Sequence, residues 1–202
     1  MSVRLTMLGC TVAAFVVAAP VVSRAQHGGA APTLNTTVPK ESQQFAFLIG
    51  HWELEAKPGA TTLAQRIHGT PKLVGSLKAW RVFDGAGIED EMRLTDASGN
   101  PLLFASAMRV YDAAARQWRS SSLDVYRTAF SNSTGEFRNG EMLLTAQGVD
   151  GDGKAYVSRT RYHTITPTSF KLQQDRSFDG GKTWTEGTLK VDAKRVAASA
   201  PR

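Results

Sequence analysis

From Phe47 to Lys194 the chain alternates apolar and polar residues in short runs separated by turn formers. That period of two predicts β-strands over 47–56, 64–73, 76–84, 87–95, 102–112, 116–125, 128–138, 141–149, 155–166, 169–178 and 184–194. Between them stand Asp84-Gly85, Ser98-Gly99-Asn100, Asn139-Gly140, Asp150-Gly151-Asp152-Gly153 and Asp179-Gly180-Gly181. These supply the positive φ angles or side-chain-to-backbone hydrogen bonds that tight hairpins need. No long run keeps a 3.6-residue period, so the chain reads as all-β. Closely spaced strands without helices predict a closed up-and-down antiparallel barrel of about ten strands.

Alternation also sorts the two faces of each strand. In 169–178 the face expected inside carries Phe170, Leu172, Gln174, Arg176 and Phe178. The inward sets elsewhere are Ile88, Asp90, Met92 and Leu94, then Phe104, Ser106, Met108 and Val110, then Trp118 with Ser120, Ser122 and Asp124. Arg159, Arg161 and His163 share one face of 155–166. A solvent-facing basic stripe, with Thr160 and Tyr162 inside, is preferred there over an anion-binding wall. A small filled barrel carries apolar side chains within, so Asp90, Gln174, Arg176 and Asp124 imply an interior that holds something. The candidate ligand-binding residues are Asp90, Met92, Met108, Trp118, Tyr162, Gln174 and Arg176. A buried guanidinium needs a partner. Arg176 is therefore expected to pair with Asp90, with Asp124 second, or to meet an anionic group of a ligand.

The N-terminus changes the picture of where the barrel works. Arg4 precedes an apolar run from Leu5 to Val22, and Val22-Ser23-Arg24-Ala25 ends in a small residue. Residues 1–25 read as a secretory signal cleaved after Ala25, which places the protein in the periplasm or outside the cell without stable membrane insertion. Residues 26–44 read as a flexible leader, 45–196 as the barrel domain and 197–202 as a tail. Cys10, the single cysteine, lies in the signal ahead of its apolar core, so neither a disulfide nor a lipid anchor is expected. Loss of Arg4 and Arg24 lowers the formal charge of +6 by two. The remaining cations are scattered singly, which argues against a nucleic-acid partner.

The chemistry-bearing motifs mostly read as structural. Gly50-His51-Trp52 places a large ring to plug one barrel end, with Gly50 allowing a close approach. Ser177-Phe178-Asp179-Gly180-Gly181-Lys182-Thr183-Trp184 matches the Asp-box hairpin of sialidases, but one copy on a short chain makes a turn rather than a catalytic site. Asp150-Gly151-Asp152-Gly153 lacks the downstream ligands of a calcium loop. His27, His51, His68 and His163 show no metal-ligand spacing. No Ser/His/Asp elbow, glycine-rich phosphate loop or paired-carboxylate spacing appears, so no catalytic residue, metal or cofactor is assigned.

Three segments in order carry a resemblance: Phe45-x-Phe47-Leu48-x-Gly50-x-Trp52, Val110-Tyr111-Asp112 leading to Arg116-x-Trp118, and Ser177-x-Asp179-Gly180-Gly181-Lys182-Thr183-Trp184. Together they resemble a family of bacterial, often exported proteins of unknown function with a lipocalin-like (calycin-type) barrel. The resemblance implies that fold and a small-molecule ligand, and no catalytic residue. This chain has Ala46 and His51 where the family more often has an acid. Nitrobindin-like haem barrels also begin with Gly-x-Trp, but Glu53-Leu54-Glu55-Ala56-Lys57 departs from their glycine-rich continuation. The leading expectation is a carrier or sensor for a small, partly apolar molecule. The first alternative is an enzyme using Asp90 or Asp124 as base on such a molecule. Further alternatives are a haem-binding barrel and a barrel that binds a protein partner. The sequence sets no oligomeric state.

Overall fold

The computed structural model describes residues 36–60 and 62–197. The signal segment and most of the leader lie outside the described residues. Ten antiparallel strands follow in chain order: β1 (Gly50–Pro58), β2 (Leu73–Val82), β3 (Gly87–Thr95), β4 (Pro101–Asp112), β5 (Gln117–Asp124), β6 (Ala129–Arg138), β7 (Glu141–Val149), β8 (Ala155–His163), β9 (Ser169–Ser177) and β10 (Thr185–Arg195). Each pairs with the next, and β10 returns to β1, closing an up-and-down barrel. Closure leaves no free sheet edge.

Two predicted elements differ. The stretch 64–73 is not a strand: it holds a short helix, α1 (Leu63–His68), and β2 begins only at Leu73. A capping box makes the difference. Thr62 Oγ1 accepts from the Gln65 amide at 3.2 Å, and Gln65 Oε1 accepts from the Thr62 amide at 3.3 Å. Gly69, at φ +83°, then ends the helix. At the other boundary, Phe45 to Leu48 is not the start of β1. Two 3₁₀ turns, Lys40–Gln43 and Ala46–Leu48, cross one end of the barrel, and Phe45 and Leu48 are fully buried there.

This end is a packed plug. Trp52 points inward from β1, donates Nε1–H to the Leu48 carbonyl at 2.7 Å and meets Phe170 edge-on at 4.8 Å. Trp118 meets Phe45 edge-on at 4.8 Å and donates Nε1–H to Gln44 Oε1 at 2.9 Å. Arg195 clamps the assembly from β10. Its guanidinium lies 4.1 Å above the Trp52 ring and donates to the carbonyls of Ile49, Phe47 and Pro167. Gly50 leaves the room that this needs. What approaches the glycine is a side chain, the Arg195 guanidinium.

The β9–β10 hairpin is held by the Asp-box. Asp179 accepts from the Lys182 and Thr183 amides and the Thr183 hydroxyl, and Ser177 Oγ accepts from the Gly181 amide. The Thr183 hydroxyl and amide, with Ser177, hold the Asp179 carboxyl well below the usual range. A depressed carboxylate contributes stability above its unfolded pKa and loses it only as pH falls through the lower folded value. The Thr183 amide resonance should therefore keep its neutral-pH position at pH 3, where an ordinary Asp is largely protonated. Movement of that resonance through the ordinary Asp range would contradict the assignment.

Candidate functional site

Strand register divides the interior into a filled half at the plug and a second half opening toward the β1–β2, β5–β6 and β9–β10 connections. On one side of that open half the inward residues are small: Ala105, Ser122, Ser131, Ser133 and Ala146, with Gly148 toward the rim. Beside this wall stand Met92, the register partner of Ala105, and Leu103, two residues before Ala105 on β4, while Leu189 faces inward from β10; all three pack only partly against the core. Met92, Gln174, Arg176, Ser122 and Ser133 face inward yet are half-buried. An inward side chain of a closed barrel can meet solvent only from within or through the mouth. The long side chains of Met92, Gln174 and Arg176 therefore reach solvent from inside the open half, beside a wall of small residues.

A cation, Arg176, faces that space. It projects inward from β9 beside Ser158 of β8, and its Cζ lies 4.5 Å from the Tyr156 ring centroid. Among the described residues its one side-chain hydrogen bond is a long donation of 3.5 Å from Nη2 to Gln174 Oε1, and its Nε is buried without a partner. Among the described residues it makes no ion pair. Neither expected partner reaches it. Asp90 instead forms a buried ion pair with Arg109 of β4. Asp124 accepts from the amides of Tyr126 and Arg127 and pairs with Arg127 Nη1 at 2.6 Å.

Arg109 exposes an error in the predicted face of β4. The pairs Ala105–Asp124, Ala107–Ser122, Arg109–Ser120 and Tyr111–Trp118 put the odd-numbered residues inside. Phe104, Ser106, Met108 and Val110 therefore face outward. Met108 is 40% exposed and does not line the interior. Phe104 is covered on the outer surface by Arg93, whose Cζ lies 3.9 Å from the ring centroid. Arg109 is 6% exposed, and burial pulls its pKa down while the Tyr162 phenol opposes that shift. The Asp90 carboxylate compensates the buried charge.

The remaining candidates divide by depth. Gln174 and Arg176 meet in the open half and Met92 faces the interior from β3, whereas Asp90, Trp118 and Tyr162 are buried in the filled half. Tyr156, Ser158, Ser120 and Arg109 join the interior without having been named as ligand contacts. Alternating Ser120-x-Ser122 and Ser131-x-Ser133 were the signal for the small-residue wall. The basic stripe of β8 faces outward: Arg159 pairs with Asp175 at 2.7 Å and stacks on Trp184 at 4.3 Å, and Arg161 lies 3.8 Å from Glu141. Burial pushes Asp175 upward, but the Gly187 amide, Arg159 and Gln173 together hold it below its ordinary value. Among the described residues no histidine faces the interior, so a haem there would find no imidazole ligand. No group of three or more His, Cys, Asp or Glu among these residues is placed to hold a metal ion. No helix among them is long and apolar enough to cross a membrane.

No protein-family model matches the chain, and no curated protein matches it in sequence. Solved structures match in shape. The S-type phycobiliprotein lyase CPES from Guillardia theta has a TM-score of 0.51 at 12% identity, over 77% of this chain and 92% of that chain. EF1p2_mFAP2b bound to DFHBI matches with a TM-score of 0.37 at 11% identity, over 77% and 98% of the two chains. A de novo designed fluorescence-activating β-barrel matches at 0.35 and 13% identity, over 78% and 99%. The likeness to the lyase is one of fold alone, that of a closed antiparallel barrel.

Proposed function

We propose that this barrel binds a small, partly apolar molecule bearing an anionic group, with Arg176 as its anchor. The observation that carries this reading is a guanidinium inside the open half with no carboxylate to balance it. An unbalanced interior cation is expensive unless an anion meets it. Met92, Leu103 and Leu189 offer the apolar contact, and Gln174 and Tyr156 frame the charged end. A mixed lining with a few convergent polar groups is what small-molecule pockets present. The enzyme reading is weaker, because Asp90 and Asp124, its two inward bases, are both held by arginines. On this reading the chain works as a carrier or sensor after export, in the periplasm or beyond it.

Calorimetric titration with decanoate and with uncharged 1-decanol tests the anchor. Decanoate should bind the wild-type protein, and Arg176→Leu should weaken it about ten- to hundredfold, the size of a charge-assisted hydrogen bond. Decanol should bind weakly and be indifferent to the substitution, and the variant should still melt cooperatively. Equal decanoate affinity in a folded Arg176→Leu protein, or no binding of decanoate at all, would sink the proposal.

A further inference from the structure

Four buried side-chain atoms among the described residues lack a hydrogen-bond partner in the protein: Ser42 Oγ, Arg109 Nε, Ser120 Oγ and Arg176 Nε. Ser42 belongs to the plug turns. The other three share one inward row. Cross-strand register links Arg109 to Ser120, Ser120 to Ser133, Ser133 to Ala146, Ala146 to Ser158 and Ser158 to Arg176. An unsatisfied buried donor or acceptor costs about 1–3 kcal/mol. Three on one inward row, running from the filled half to the open half, suggest a common partner.

The two ends of the row differ in charge. Arg176 has no counter-ion among the described residues, whereas Arg109 is neutralised by Asp90 and keeps an unpartnered Nε–H. Ser120, directly opposite Arg109 in the register, adds a hydroxyl that can donate or accept, and it is only 9% exposed. The deep end therefore suits a neutral oxygen, and a second carboxylate there would meet the Asp90 charge. The row spans five strand spacings, roughly 24 Å of wall at about 4.8 Å each. That is half the circuit of a ten-stranded barrel. Because barrel strands tilt by about 35–45°, a row perpendicular to them climbs the wall. Arg109 and Ser120 thus lie deep on one side, and Arg176 lies toward the mouth on the other. Ser133, Ala146 and Ser158 between them add little bulk.

We infer that the ligand is elongated with two unlike ends, an anionic group at Arg176 and a neutral hydroxyl, carbonyl or ether oxygen at a deep subsite formed by Arg109 Nε and Ser120 Oγ. This rests on the anion-binding reading of the barrel and adds a second, uncharged recognition point. A ligand of this kind satisfies the orphaned atoms along the row and leaves the Asp90–Arg109 pair undisturbed.

The test compares straight-chain acids of eight, ten and twelve carbons with their ω-hydroxy and dicarboxylic counterparts, on wild type, Ser120→Ala and Arg176→Leu. At one of these lengths the terminal hydroxyl should raise wild-type affinity about five- to tenfold, as one buried hydrogen bond would. Ser120→Ala should erase that gain and leave the plain acid unchanged, and Arg176→Leu should weaken both. The dicarboxylate should bind less tightly than the hydroxy acid. Without ligand, Ser120→Ala should melt at the same temperature as wild type or higher, because an unpaired hydroxyl has been removed. Should the plain acids bind through Arg176 while the hydroxyl adds nothing at any length, the deep subsite is wrong and the anion anchor stands. A Ser120→Ala protein that keeps the hydroxyl gain, or that is clearly less stable without ligand, also overturns the subsite, as does a dicarboxylate preferred over the hydroxy acid. If no acid of the series binds, both readings fall together.

Discussion

Asp90→Leu should lower the folding stability by about 3–5 kcal/mol in a urea melt, and Asp90→Leu/Arg109→Met should recover most of that loss. Both side chains of the pair are close to fully buried. Removing the carboxylate alone leaves a guanidinium in the filled half of the barrel, between Tyr162 and the Phe45 ring. Removing both charges replaces the pair with apolar volume, which buried sites of this kind tolerate well. The third variant decides the pairing. The sequence pointed to Arg176 as the partner of Asp90, and on that pairing Asp90→Leu/Arg176→Leu would be the rescued protein. The structure predicts instead that this double variant stays as unstable as Asp90→Leu. Recovery in the Arg176 double, or a loss below about 1 kcal/mol in Asp90→Leu, would mean that Asp90 and Arg109 do not form the pair.

Strand positions were largely legible because hairpin turns and period-two alternation are both local signals. β3 and β7 begin and end where the alternation does, and most other strands shift by a residue or two. The β8 stripe was legible for the same reason, since a strand facing water on one side must alternate. The helix α1 was not. Leu63 and Ile67 lie four apart, and both are largely exposed, so no buried stripe announced them. What fixes that helix is the reciprocal Thr62–Gln65 cap, a two-residue signal within an otherwise strand-like run.

The face of β4 failed through a different cause. Hydrophobicity alone favours Phe104, Met108 and Val110 as the inner set over Ala105, Ala107 and Arg109. A one-residue change of register exchanges the two faces completely. The correct choice depends on Tyr111 lying opposite Trp118 and Arg109 opposite Ser120, which is pairing information and not periodicity. The same error hid Arg109, and with Arg109 hidden, Arg176 looked like the natural partner for Asp90. Arg176 and Gln174 were legible as interior residues because the apolar members of their strand outvoted them, and Met92 because it is one of the apolar members of its own. That Arg176 has no counter-ion emerges only once the register has assigned every inward acid.

Gly50→Ala should cost about 3–4 kcal/mol, a large effect for one methyl group on a small residue. Two independent constraints meet there. Gly50 has φ +124°, a backbone conformation that L side chains rarely adopt. A Cβ at this position would also lie 2.3 Å from Arg195 Nη1. The guanidinium has little room to yield, since it stacks on Trp52 and holds the Ile49 carbonyl at 2.7 Å and the Pro167 carbonyl at 2.7 Å. Displacing it leaves the plug turns without their clamp, at about 1.5–3 kcal/mol for charged hydrogen bonds. The backbone strain adds roughly 1–2 kcal/mol. Arg195→Ala removes the same clamp by another route, so the two substitutions should not add. The double variant Gly50→Ala/Arg195→Ala should therefore be more stable than the sum of the single losses predicts, by at least about 1.5 kcal/mol. Strict additivity in that cycle would show that Gly50 is required for its backbone angle alone and that Gly-x-Trp is not built around Arg195.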